Sequence, residues 1–181
     1  VETTLKAVAL FASTGCDIIE LGIPFSDPLA DGATIQRASY EALRQGVTPE
    51  VCLEVAEELR RRVKIPLVFM TYYNPVLKFG LEQFCSKCAD VGIDGLIIPD
   101  LPPEEGKELE KSTKRHGLDL IYLLSPASTE ERIRLATSKA SGFIYLVSLT
   151  GVTGARDKLS EELESFVARV RKRTEKPLCV G

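Results

Sequence analysis

Residues 16–24 read CDIIELGIP, and Glu20 interrupts a run that is otherwise apolar at Ile18, Ile19, Leu21 and Ile23. A short apolar run rich in β-branched residues predicts a strand covered on both faces, as in a parallel sheet. Five further runs have the same texture: IPLVFMTYY (65–73), DGLIIPDL (94–101), DLIYLLSP (119–126), GFIYLVSL (142–149) and KPLCVG (176–181). Stretches with helical signals separate them. Residues 1–14 place apolar side chains at 5, 8, 9 and 12, and 34–46 close on Gly46. Thr48 followed by Pro49 marks a helix start, with the helix running to about Val63. Further helices are predicted over 79–91, 103–116 and 160–174, and Ser128 with Glu131 forms a capping box ahead of another.

The order is a helix, five strand–helix units and a closing strand, which is a parallel α/β architecture. Two versions fit: a (β/α)8 TIM barrel or an open sheet of flavodoxin type. A barrel has eight strands and ordinarily about 250 residues. On the barrel reading, residues 1–181 form a single barrel domain, incomplete at both ends, covering roughly strands 2 to 7. No G-x-G-x-x-G or phosphate-loop motif follows any strand, so nothing favours a nucleotide fold.

Composition narrows the function classes. The chain has 181 residues, 44% of them hydrophobic, and a net charge of −3. A nucleic-acid binder of this size ordinarily shows a basic excess, and no apolar run approaches the roughly 18 residues of a membrane span. The opening VETTLKAVALF lacks a positive segment and a small-residue cleavage site, so it does not read as a signal peptide. Five cysteines cannot all pair, which points to a reducing cytosol, and a single histidine argues against a His-based metal centre.

Glu20 is the most unusual residue. Strand alternation puts it on the face of Ile18 and Gly22, opposite Ile19 and Leu21. A carboxylate on an apolar face near a strand's C-terminal end is placed where barrel enzymes work, and its pKa should rise. The plain structural reading is a Glu bonded to backbone or paired with Arg. The loop GIPFSDPLADGATIQ that follows contains Asp27 and Asp31, either a second functional carboxylate or turn chemistry, with Asp31 capping the next helix. After the 142–149 run, SLTGVTGARDK joins Gly151 and Gly154 to Thr150 and Thr153, as a phosphate cradle, a lid or a linker. Tyr145 feeds that loop and reads equally as a core aromatic. No lysine lies mid-strand, where a Schiff-base lysine would be expected. His116 sits at a helix C-terminus, a structural position. Cys85 and Cys88 form a CxxC inside a predicted helix and read as packing residues.

ELGIPFSDPLADGATIQ, TYYNPVLKFG, GLIIPDLPPEE and GFIYLVSLTGVTGAR, in this order, closely resemble the tryptophan synthase alpha subunit family. The resemblance extends along the whole chain. It implies a (β/α)8 barrel and a cytoplasmic carbon–carbon lyase of tryptophan biosynthesis (stromal in a plant plastid). That lyase splits indole-3-glycerol phosphate into indole and glyceraldehyde 3-phosphate without metal or cofactor. It further implies an α2β2 heterotetramer, with pyridoxal phosphate on the beta partner only, and neither nucleic-acid nor membrane binding. By resemblance, Glu20 is the general acid/base, Asp31 holds the indole N–H and Tyr145 lies beside the Glu. Ile35, Tyr72 and Ile97 line the indole pocket. Thr153 and Gly154 belong to a closing loop, Gly154 and Gly181 to the substrate contacts, and Pro24, Phe25, Asp27 and Pro28 to the beta-subunit interface. The family continues before Val1 and after Gly181, through strand units with most of its phosphate site. The 181 residues alone are therefore expected neither to close the barrel nor to be active. Two alternatives share these residues: a free-standing lyase that releases indole, and a non-catalytic truncated subunit that only docks on a beta partner.

Overall fold

The computed structural model describes residues 1–148 and 161–181. Helix α1 (Glu2–Ser13) precedes β1 (Ile19–Gly22), followed by α2 (Ala33–Arg44), α3 (Pro49–Arg62) and β2 (Leu67–Met70). The chain continues through α4 (Tyr73–Phe79), α5 (Leu81–Asp90), β3 (Gly95–Ile97), α6 (Lys107–Arg115) and β4 (Asp119–Leu124). It ends with α7 (Glu130–Lys139), β5 (Ile144–Leu146), α8 (Glu161–Arg171) and β6 (Leu178–Val180). All neighbouring strands pair in parallel, in the spatial order β1-β2-β3-β4-β5-β6. An open flavodoxin-type sheet reverses direction at a switch point. This sheet never reverses, so successive right-handed crossovers place the helices on one face.

Strand alternation then makes two layers. Ile19, Leu21, Phe69, Leu96, Leu120, Tyr122 and Ile144 pack outward against helix residues such as Leu59, Phe84, Leu109, Ile133 and Phe166. Val68, Ile97, Ile121 and Phe143 form a smaller inner cluster, flanked by Ile18, Met70, Leu123, Tyr145 and Cys179. A fully buried Leu or Phe contributes about 1.5–3 kcal/mol, so the larger outer layer supplies most of the stability and leaves the inner face available for chemistry.

The inner face is concave. Glu20 on β1 is close enough for its charge to act on Tyr145 of β5 and Cys179 of β6. In a flat sheet β1 and β5 would be four strand spacings apart, about 19 Å. Curling of the sheet brings the first and last strands towards each other, as in a barrel wall.

Several sequence boundaries move. The strands are shorter than the apolar runs, because the runs continue into loops whose first residues remain buried, such as Ile23, Thr71 and Ile98. The TYY stretch does not extend β2: Tyr73 begins α4, and Gly80 at φ +98 separates it from α5. That φ suits glycine and stops a helix running through. The 103–116 helix begins only at Lys107. Thr48 caps α3 as expected, its hydroxyl accepting from the Val51 N–H at 3.4 Å. On α7 the cap is Thr129, accepting from Arg132 N–H at 3.2 Å, while Ser128 accepts from Ser125 N–H at 3.0 Å; the Ser128–Glu131 box does not form.

Candidate active site

Glu20 stands on the inner face of β1, with the parity read from the sequence, since Ile18 joins the inner cluster and Ile19 and Leu21 the outer one. Its side chain keeps an open flank to solvent. Loss of water around the carboxyl still raises its pKa above the ordinary carboxylate value. Across the concavity, burial raises the Tyr145 phenol, and the Glu20 charge pushes it further in the same direction. Gly181 lies against that phenol: a Cβ at 181 would sit 2.1 Å from Tyr145 Oη. The Gly181 N–H donates to Leu146 O at 3.0 Å and its carbonyl accepts from Ser148 N–H at 2.9 Å, so the glycine extends the β5–β6 ladder beside the tyrosine.

Asp31 does not cap α2, whose N-cap is Gly32 without a side-chain bond. Its carboxylate instead accepts from the Tyr72 hydroxyl at 3.1 Å. The same hydroxyl accepts from the Ala30 N–H at 2.9 Å. Tyr72 is buried, and burial followed by the Asp31 bond pushes its phenol up to about 12, so near neutral pH it remains a donor. The loop is pinned to α2 by Ser39, whose hydroxyl accepts from Phe25 N–H at 2.9 Å and donates to Phe25 O at 3.0 Å. The Phe25 ring lies 5.3 Å from that of Tyr72.

Glu20, Asp31, Tyr72 and Ile35 border one open cavity of about 1030 Å3. Its other walls include Ile18, Met70, Phe143 and Cys179. Ile97 is wholly buried in the inner cluster with Val68, Ile121 and Phe143. Asp27 is exposed and accepts from Ser26, its own neighbour. Pro24, Phe25 and Pro28 lie part-buried along the loop. Thr153 and Gly154 lie outside the described residues. Cys85 and Cys88 are fully buried in α5, burial raising both thiols, and His116 bonds Glu82 at 2.9 Å on the surface, as a structural group would. Among the described residues no three His, Cys, Asp or Glu side chains are grouped to hold a metal ion, and no helix is long and apolar enough to cross a membrane.

An acid on the inner face at the C-terminal mouth of parallel strands, with a second carboxylate on the adjoining loop, is the place where barrel enzymes work. The family model described as tryptophan synthase alpha chain matches residues 1–181. The chain belongs to the tryptophan synthase alpha chain family. It is 59% identical to the tryptophan synthase alpha chain of Dehalococcoides mccartyi, over 100% of this chain and 71% of that one. The relative from Roseiflexus sp. is 53% identical, with 99% and 69% covered. A chain in the structure of the tryptophan synthase α2β2 complex of Pyrococcus furiosus superposes with a TM-score of 0.92 at 36% identity, covering 99% of this chain and 72% of that one. A chain of Mycobacterium tuberculosis tryptophan synthase gives 0.92 at 40% identity, covering 100% and 69%.

Within this alpha-chain site, sequence reasoning missed Met70, Phe143 and Cys179. All three lie on the inner face, and period-two alternation on each strand was the signal that could have found them. Asp100 was missed as well. It accepts from Tyr73 N–H at 2.9 Å, a contact between the loop after β3 and the start of α4 that no local pattern announces.

Proposed function

We propose that the chain is the alpha subunit that cleaves indole-3-glycerol phosphate to indole and glyceraldehyde 3-phosphate, in tryptophan biosynthesis. The observation behind this reading is the shared cavity: Glu20 on its inner wall and the Tyr72-bonded Asp31 at its rim. Protonation of indole C3 turns the ring into an iminium-like electron sink. Removal of the proton from the glycerol hydroxyl then lets the C–C bond break, its electrons returning to the ring as the aldehyde forms. One proton enters and one leaves, so no imine to lysine and no metal is required. Glu20 serves as the acid/base, because its raised pKa brings the carboxyl nearer the working pH. Asp31 accepts the indole N–H and stabilises the positive charge that develops there. Tyr145 and Gly181 shape the wall beside Glu20, Ile35 and Tyr72 flank the indole, and Thr153 and Gly154 are assigned to the substrate contacts.

The loop with Pro24, Phe25, Asp27 and Pro28 docks on a beta subunit in an α2β2 assembly, where the beta chain alone holds pyridoxal phosphate. We place the reaction in the cytoplasm, in keeping with five cysteines that are all free. The test is indole release from indole-3-glycerol phosphate by the full-length protein and its Glu20→Gln variant. The expected loss in kcat is about 100-fold or more, with KM little changed. Wild-type turnover in Glu20→Gln would overturn the assignment.

A further inference from the structure

We infer that Tyr72 is the positioning residue for Asp31, and that Asp100 in turn sets Tyr72, so that reading of the indole N–H depends on a hydrogen-bond chain through three successive βα loops. This rests on the proposed role of Asp31 as acceptor for that N–H. The backbone of Asp31 is fixed locally: its N–H donates to Pro28 O at 3.1 Å and its carbonyl accepts from Gln36 Nε2 at 2.9 Å. The direction of its carboxylate is set from another loop, by the Tyr72 hydroxyl on Oδ2 at 3.1 Å. A carboxylate has about four acceptor sites, so this bond leaves capacity for a ligand N–H.

Tyr72 is itself held at both ends. At its tip, Ala30 N–H donates to the hydroxyl at 2.9 Å, which orients the phenolic proton towards Asp31. At its backbone, Tyr72 is the N-cap of α4 and has no side-chain cap of its own. Asp100, after β3, fills that role by accepting from Tyr73 N–H at 2.9 Å. The preceding Thr71 N–H donates to Ile97 O at 3.1 Å, which ties the same turn to β3. The β1, β2 and β3 loops are thereby joined in series, from Asp100 through Tyr72 to Asp31.

The test compares binding of indole and of 1-methylindole, which lacks the N–H, to the intact protein. Binding is followed by isothermal titration calorimetry. Wild type should prefer indole by about tenfold, the size of one hydrogen bond to a charged acceptor. Tyr72→Phe keeps the ring and removes the donor, and should reduce that preference by about threefold or more. Asp100→Ala should reduce it as well, and Asp100→Asn, which retains an acceptor oxygen, should restore it. A preference unchanged in Tyr72→Phe, with both ligands weakened alike, would show mere packing and overturn the inference. If Tyr72→Phe does not fold, equal preferences in Asp100→Ala and Asp100→Asn overturn the chain. Equal wild-type affinity for the two ligands would overturn the role of Asp31 itself.

Discussion

Gly106→Ala should destabilise the protein although its backbone geometry favours the change. Gly106 is the N-cap of α6 at φ −68 and ψ −10, a conformation open to alanine. On backbone entropy alone the substitution would stabilise by about 0.4–1 kcal/mol. The added methyl carbon, however, would sit 1.8 Å from Tyr122 Oη and 3.0 Å from Glu110 Oε1. Tyr122 is 2% exposed and cannot swing into solvent. Its hydroxyl donates to Glu110 Oε1 at 2.7 Å, and the same oxygen pairs with Lys139 Nζ at 3.0 Å. Displacing the phenol loses a bond to a charged acceptor, about 1.5–3 kcal/mol, and adds about 1–3 kcal/mol of overpacking. Net of the entropy gain, the loss is about 2–5 kcal/mol. For a domain of this size that lowers Tm by about 5–15 °C, read by far-UV circular dichroism. In a Tyr122→Phe background the nearest atom is gone, so Gly106→Ala should cost about 1–2 kcal/mol less. An unchanged or raised Tm in the single variant would refute the reasoning, because entropy would then have outweighed the contact.

Gly181→Ala should push Tyr145 off its position, since the new Cβ would lie 2.1 Å from the hydroxyl. The expected result is a kcat for indole release lower by about 10- to 100-fold, and an unaltered kcat would remove Gly181 from the site. Glu20 also has a stability signature. Its carboxyl binds a proton more tightly when folded than when unfolded, so its contribution is complete below the unfolded pKa of about 4.3 and is lost as pH rises through the higher folded value. The Tm of Glu20→Gln relative to wild type should therefore climb from pH about 4 towards neutrality, and a flat difference would show that the carboxyl is not perturbed.

The site was legible wherever its signal was local. Glu20 could be found because an ionisable group inside a β-branched run is costly unless it has a task. Its facing followed from alternation, which depends only on the residues beside it. Asp31 was ambiguous, because an Asp two residues before a helix serves equally well as a cap. The structure resolves it through Tyr72, 41 residues away, whose hydroxyl takes the carboxylate away from the helix end. Ile97 stayed undecided, because an apolar residue facing inward looks the same in sequence whether it lines a cavity or fills the floor beneath it.

The fold divides in the same way. Alternating apolar runs and helical stretches determined a parallel α/β chain, and Thr48-Pro49 determined where α3 begins, because periodicity and capping act over a few residues. Neither the break at Gly80 nor the move of the α7 cap to Thr129 could be read in this way, since both turn on which of several compatible local bonds the surrounding packing permits. Periodicity alone left an open sheet and a curled wall both possible; the family resemblance implied the barrel, and the strand order of the structure shows the wall. The wall depends on strand order and on the accumulated angle between neighbours, quantities that no single segment contains. Only that curl brings Glu20 of β1 opposite Tyr145 of β5, and only the joined loops turn Asp31 into the cavity that Glu20 borders.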